Sequence, residues 1–183
     1  MEYNKLLMLI TIIFSLVILI IGIADFVKKK YSFFIENLVS YTLYLIFLAA
    51  QYKFEFYARP FIITLALITI IGNNLIGKYL NYYYRSKYYD RFLHAFGAFS
   101  YALFFYEILN ETITPTIHSR LYVSIFVATI GISYGCVYEI YEFILDSISN
   151  SDNQHGLIDT NFDLISNIIG SIIAGIISVL VFF

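Results

Sequence analysis

Residues 89–109 read YDRFLHAFGAFSYALFFYEIL. An ionisable opening, Asp90-Arg91-Phe92-Leu93-His94, runs into an apolar stretch that holds no further charge until Glu107. A helix rises about 1.5 Å per residue, so roughly 20 apolar residues cross the hydrocarbon core of a bilayer. Runs of this kind recur along the chain, at about 6–24, 34–51, 60–80, 91–109, 121–145 and 161–183. None shows the period-2 alternation of a membrane β-strand. The pattern therefore predicts an all-α, polytopic transmembrane helical bundle of about six spans. With no Pro/Ser-rich linker, low-complexity stretch or repeat, one integral domain over 1–183 is the simplest organisation.

Composition points the same way. The 183 residues are 60% hydrophobic and only 13% charged, with a mean hydropathy of +0.78. Soluble domains carry about 25% charged residues, and a chain of this size cannot hide so much apolar surface. A net charge of -2 without a basic arm excludes a nucleic-acid partner. The single cysteine, Cys136, excludes an intrachain disulfide and a zinc site built on cysteine pairs. Trp is absent and Tyr abundant, so Tyr must supply the interfacial belt. The run from Asn81 to Tyr89, NYYYRSKYY, reads as a tyrosine and basic anchor. Residues 6–23 exceed a signal-peptide core and are preceded by only Lys5 against Glu2. Gly22-Ile23-Ala24 mimics a cleavage site, but a retained helix is the expectation.

Basic residues set an orientation. Lys28, Lys29, Lys30, Lys78, Arg85, Lys87 and Arg91 fall in or beside the odd-numbered loops; Lys5, Lys53, Arg59 and Arg120 fall at the N-terminus and in the even ones. The positive-inside rule places the odd loops in the cytoplasm and both termini outside.

The odd-loop side also collects the intramembrane acids. Asp90 and His94 open the fourth span, Glu139 and Glu142 close the fifth, and Asp159, Asp163 and Asn167 open the sixth. Glu36, Asn73 and Asn74 approach the same side, whereas Glu107 lies roughly 20 Å beyond His94 along a helix. Each ionisable group at the centre of a span costs about 2.5–3.5 kcal/mol on insertion scales, so such groups are rare and usually functional. Spacings of three and four put Asp90 with His94, Glu139 with Glu142, and Asp163 with Asn167 on shared helix faces. Asp159 joins its pair if that helix starts a turn earlier. Small residues lead into these acidic ends: Gly97 and Ala98; Gly131 and Gly135; Ser166, Gly170 and Ala174. Such seams let helices approach closely in lipid, which would gather the acids.

Five carboxylates together cannot all ionise without a counter-charge. Two divalent cations held among Asp90, His94, Glu139, Glu142, Asp159 and Asp163 would nearly balance them. Carboxylates with one imidazole suit Mg, Mn or Fe better than structural zinc. A plainer reading stands beside this. Asp159 or Asn161 can be a helix cap, Asp25 and Asp146 interfacial groups, and Glu139 or Glu142 neutral packing groups. His118 and His155 fall in loops, with His155 the closer to the acidic block.

The stretches YDRFLHAFGAF, YGCVYEIYEF and HGLIDTNFDLISNIIGSIIAG resemble VanZ-like and YjdF-type bacterial membrane proteins. Asp90, Arg91, His94, Glu139, Glu142, Asp159, Asp163, Asn167 and Gly170 carry the match, within a motif core of about 88–183. Glu-Ile-Tyr-Glu stands where VanZ-like proteins have a Glu–Gln type pair, which is closer to the YjdF-type branch. Gln154-His155-Gly156 stands where an Arg-rich turn is expected. The resemblance implies a multi-pass bacterial or archaeal membrane protein and brings no defined activity. Two functional classes remain open. One is a metal-dependent hydrolase or transferase of a lipid-linked phosphate, with Glu139 or Glu142 as catalytic base. The other is a proton- or ion-coupled transporter using the same acids. The expected partners are membrane lipid and a lipid-linked or ionic substrate.

Overall fold

The structure, a computed structural model, describes residues 2–113, 119–149 and 153–183. His118 lies outside them. Among the described residues there is no strand, and the helices are α1 (Glu2–Val27), α2 (Tyr31–Phe54), α3 (Pro60–Ile71), α4 (Tyr82–Arg85), α5 (Lys87–Ile113), α6 (Arg120–Ser149) and α7 (Leu157–Phe182). A π-helical segment, Gly72–Tyr79, continues α3. Six helices are long and apolar enough to cross a membrane, the third being α3 with its π segment. The all-α, six-span expectation is met. The helices run a few residues beyond the apolar cores read from sequence, because polar first and last turns are still helical. Two compact units divide the chain, Met1–Ser86 and Lys87–Phe183.

In the first unit, α1 packs on α2, α3 and the π segment. Apolar surface gives little driving force inside lipid, so packing and polar contacts must join these helices. Phe14 meets Tyr44 edge-to-face at 5.0 Å. Thr11 shares a hydrogen bond with the Tyr44 hydroxyl at 2.7 Å, and Ser15 with that of Tyr41 at 3.0 Å. Pro60 occupies the first turn of α3, where its missing N–H costs nothing. At the other end of this span, Leu80 N–H donates to the Leu75 carbonyl five residues back. Asn81 then leaves the helix in the left-handed region, at φ 60°, which Asn tolerates better than most residues. The tyrosine and basic stretch after it forms the short helix α4.

In the second unit, α5, α6 and α7 all pack against one another. The seams are narrow where glycine meets a neighbouring helix. A Cβ on Gly135 would stand 2.5 Å from Asn167 Cβ, one on Gly131 would stand 2.5 Å from Ser171 Oγ, and one on Gly170 would strike the Ala95 carbonyl. On α6 the buried positions run Val123, Val127, Gly131, Gly135, Glu139 at four-residue steps. On α7 they are Asp163, Asn167, Gly170, Ser171, Ala174, Gly175 and Ser178. Ser166, read from sequence as part of this seam, sits at its edge and bonds the Phe162 carbonyl of its own helix. Each buried seam ends in a carboxylate.

Candidate functional site

Asp90 lies in the first turn of α5, where a negative charge is favoured by the helix dipole. One turn on, His94 is buried, with its ring edge-to-face against Tyr138 at 5.6 Å. His94 faces acids on both sides. Its Nε2 lies 3.6 Å from Asp90 Oδ1, and its Nδ1 lies 3.4 Å from Glu139 Oε1. Glu139 is only 5% exposed, and on α7 Asp163 and Asn167 are buried too. Glu142, one turn beyond Glu139, is half-buried.

These side chains form two overlapping groups. One ligand atom each from Asp90, His94 and Asp163 lie within 4.8 Å of one another, and the same holds for His94, Glu139 and Glu142. His94 belongs to both. Three buried polar atoms here have no hydrogen-bond partner among the described residues: Glu139 Oε1, Asp163 Oδ1 and Asn167 Nδ2. Leaving such atoms unsatisfied costs about 1–3 kcal/mol each, more when charged. Two of the three are carboxylate acceptors, on Glu139 and Asp163, and the third is the Asn167 amide donor.

Asp159 takes a different place. The last helix starts at Leu157, a turn earlier than the apolar run, with Gly156 as its N-cap and no side-chain cap bond. Neither Asp159 nor Asn161 is that cap, because both already lie inside the helix. Asn161 instead donates to the Leu157 carbonyl. Asp159 Oδ2 lies 3.3 Å from His155 Nδ1, at the rim of the cluster and outside both three-residue groups.

Two supporting residues were not singled out for the site from sequence. Gln154 donates from Nε2 to the Glu139 carbonyl at 2.9 Å and to Glu139 Oε2 at 3.3 Å. Asp146, expected only as an interfacial group, holds this segment. Its carboxylate accepts from Asn153 N–H at 3.0 Å, from Asn153 Nδ2 at 2.7 Å and from Gln154 N–H at 2.8 Å. A loop Gln beside an acidic block carries no distinctive sequence signal. Arg91 also lies beside the cluster, its guanidinium 3.9 Å over the Phe162 ring, with a buried Nε that makes no hydrogen bond among the described residues. Glu107 is buried on α5 far along the helix from His94. Glu36, Asn73 and Asn74 belong to the first unit.

No solved structure matches this chain. An uncharacterized protein of Thermotoga maritima is 35% identical over 108 residues, which is 56% of this chain and 53% of that protein. The matched stretch spans about half the length of that curated relative. The resemblance read from the motif blocks rests on the second half of the chain, whereas the family likeness takes in both units. The family model described as Predicted membrane protein (DUF2238) matches residues 6–182, and the chain belongs to that family of membrane proteins.

Proposed function

We propose that the second unit binds a divalent cation between α5, α6 and α7. The observation that carries this reading is the shared position of His94, whose two ring nitrogens each serve a different carboxylate group. Asp90, Glu139, Glu142 and Asp163 supply oxygen ligands, and Asp159, held by His155, supplies an outer carboxylate. Buried carboxylates at this separation repel one another, and a cation offsets both the repulsion and the lost hydration. The donor set of oxygens with one imidazole favours Mg, Mn or Fe. The blocks that resemble VanZ-like and YjdF-type proteins fall on these same residues. The positive-inside bias of Lys87, Arg85 and Arg91 puts the site on the cytoplasmic side. The test is elemental analysis of the purified protein: wild type retains stoichiometric metal through gel filtration, and Glu139→Ala does not. Equal and negligible metal in both would sink the reading.

Arg91 favours a second reading, in which the metal serves phosphoryl chemistry on a lipid-linked phosphate. A guanidinium stacked on Phe162, beside the acids and with one N–H unused, is suited to a phosphate oxygen. The cation would polarise the phosphoryl group, and Glu139 or Glu142 would take a proton from water or an acceptor hydroxyl. Phosphate release from a polyprenyl phosphate in detergent, lost in Arg91→Ala with metal content unchanged, is the expected result. Absence of release from lipid mono- and diphosphates would leave cation binding without this activity.

A further inference from the structure

In the first unit a cavity of about 270 Å³ opens between α1 and α2. Ile18 and Gly22 form its buried floor, and Leu19, Ile23 and Leu38 stand exposed along its rim. Gly22 keeps it open, because a Cβ there would meet only Phe34, at 3.7 Å. The polar groups on the wall already have partners. The Ser15 and Tyr41 hydroxyls bond each other at 3.0 Å. Asn37 donates to Asp25 Oδ2 at 2.9 Å and accepts from Asn74 Nδ2 at 2.8 Å. What the groove offers an occupant is therefore hydrocarbon. Sites for whole small molecules run to about 300–1,000 Å³, so this space suits a stretch of one chain. From Ser15 to Gly22 it follows α1 for roughly 10 Å.

Lysines stand beyond the Ile23 end of this groove. Lys28-Lys29-Lys30 closes α1, and Lys28 lies roughly 8 Å past Ile23 along the helix. Lys29 N–H donates to the Phe26 carbonyl at 3.0 Å, and Lys30 N–H to the Asp25 carbonyl at 2.9 Å. These bonds cap the helix with Lys29 in the left-handed region, at φ 58°. Glycine is the usual residue at that position, so a lysine is held there against its backbone preference. Asp25 is 1% exposed, although its place just before the lysines marks it as interfacial in sequence. Its buried carboxylate lies in the field of Lys30 and Lys28, and Lys78 pairs with Glu36. Lys29 is exposed, and its charge is the one that neither acid takes up. Phe34, on the groove wall, packs edge-to-face on Phe26 at 5.5 Å, and Phe26 on Tyr31 at 5.8 Å. Aromatic rings thus lie between the aliphatic groove and the lysines.

We propose that the groove between α1 and α2 seats an acyl chain of an anionic phospholipid, with the headgroup phosphate on the Lys28-Lys29-Lys30 turn. The order of surfaces is that of a lipid: aliphatic, then aromatic, then ammonium. Charge complementarity selects the anionic headgroup. A basic residue beside a transmembrane helix strengthens binding to anionic lipid by about fivefold. Lys28 Nζ, 4.0 Å over the Tyr79 ring, and Lys30 Nζ, 5.2 Å from the Phe33 ring, are anchored on aromatic faces. Lys29 supplies the uncommitted charge. A zwitterionic lipid carries its own ammonium beside the phosphate and forgoes this gain. The proposal is independent of the cation site in the second unit.

The test uses the full-length protein in detergent and a phosphatidylglycerol with a photoreactive diazirine in one acyl chain. After illumination, peptide mass spectrometry locates the label. In wild type the label should concentrate on residues 15–23 and 34–41, and unlabelled phosphatidylglycerol should compete better than phosphatidylcholine with the same chains. Lys29→Gln should weaken competition by phosphatidylglycerol about fivefold and leave that by phosphatidylcholine unchanged. Gly22→Leu fills the groove and should abolish the label there. Label spread evenly over the exposed helix faces of wild type would overturn the proposal without recourse to any variant. Equal competition by the two lipids would overturn the anionic headgroup, and full labelling in Gly22→Leu would overturn the groove. Cysteines at Leu19 and Leu38 that cross-link two copies of the chain, with no lipid label between α1 and α2, would show a protein partner on this face and overturn it as well.

Discussion

His94 Nδ1 on α5 stands 3.4 Å from Glu139 Oε1 on α6, and 45 residues of chain separate the two in sequence. The same imidazole meets Asp90 through its other nitrogen. If the proposed cation binds here, this imidazole, buried between acids on both edges, is where metal and proton would compete.

That competition fixes the pH dependence of the proposed site. Metal ligation needs ionised carboxylates at Glu139, Glu142 and Asp163 and a neutral His94. Lowering the pH protonates all of them, so affinity and metal-dependent stabilisation should both fall on acidification. Glu142→Gln keeps shape and hydrogen bonding but removes one charge. Its thermal midpoint without metal should stay near wild type, while the rise caused by Mg, Mn or Fe should shrink. An unchanged rise in Glu142→Gln and in Asp163→Asn would rule out these ligands.

The glycines of the second unit should differ sharply from one in the first. Gly170→Ala drives a Cβ into the Ala95 backbone carbonyl, which cannot rotate away. Overpacking of this kind costs about 1–3 kcal/mol, so the unfolding midpoint should drop and metal response should weaken as α5 and α7 separate. At Gly22 a new Cβ meets only Phe34 at 3.7 Å, an ordinary contact. Gly22→Ala should be neutral or stabilise by up to about 1 kcal/mol through helix propensity. Equal effects in the two variants would contradict the close approach of α5 and α7.

Asp146 should act on the site at one remove. It accepts hydrogen bonds from Asn153 and Gln154, and Gln154 in turn bonds Glu139. Removing a charged acceptor leaves its donors unsatisfied at a cost of about 1–3 kcal/mol. Asp146→Ala should therefore lower the thermal midpoint and weaken metal binding, while Asp146→Glu restores part of both. Wild-type affinity in Asp146→Ala would show that Gln154 is not a positioning residue.

Topology is open to direct labelling. In a Cys136→Ala background, single cysteines at Lys87 and Ser147 should react with an impermeant thiol reagent from the same face of the membrane. A cysteine at Arg120, at the opposite end of α6 from Ser147, should react from the other face. The basic-residue bias predicts that the Lys87 face is the cytoplasmic one. Opposite labelling at 87 and 147 would separate Asp90 from Glu139 and remove the joint site.

The sequence alone determined the class of the protein. Six apolar runs of bilayer length, without period-2 alternation, leave the backbone only helices in which to satisfy its hydrogen bonds within lipid. Four-residue spacing also placed Asp90 with His94, and Gly131 and Gly135 in line with Glu139, because these relations lie within one helix. Tertiary structure decided everything that depends on distance between helices. It put His94 between acids from α5 and α6, moved Asp159 to the rim beside His155, and brought in Gln154 through a loop with no sequence signature. It also enclosed Asp25, whose neighbours along the chain mark a helix end. An apolar run shows that a helix is buried in lipid or protein, but not which side of it meets another helix. That choice rests on close packing between specific small residues, such as Gly135 against Asn167 and Gly170 against Ala95, and only the folded chain brings those residues together.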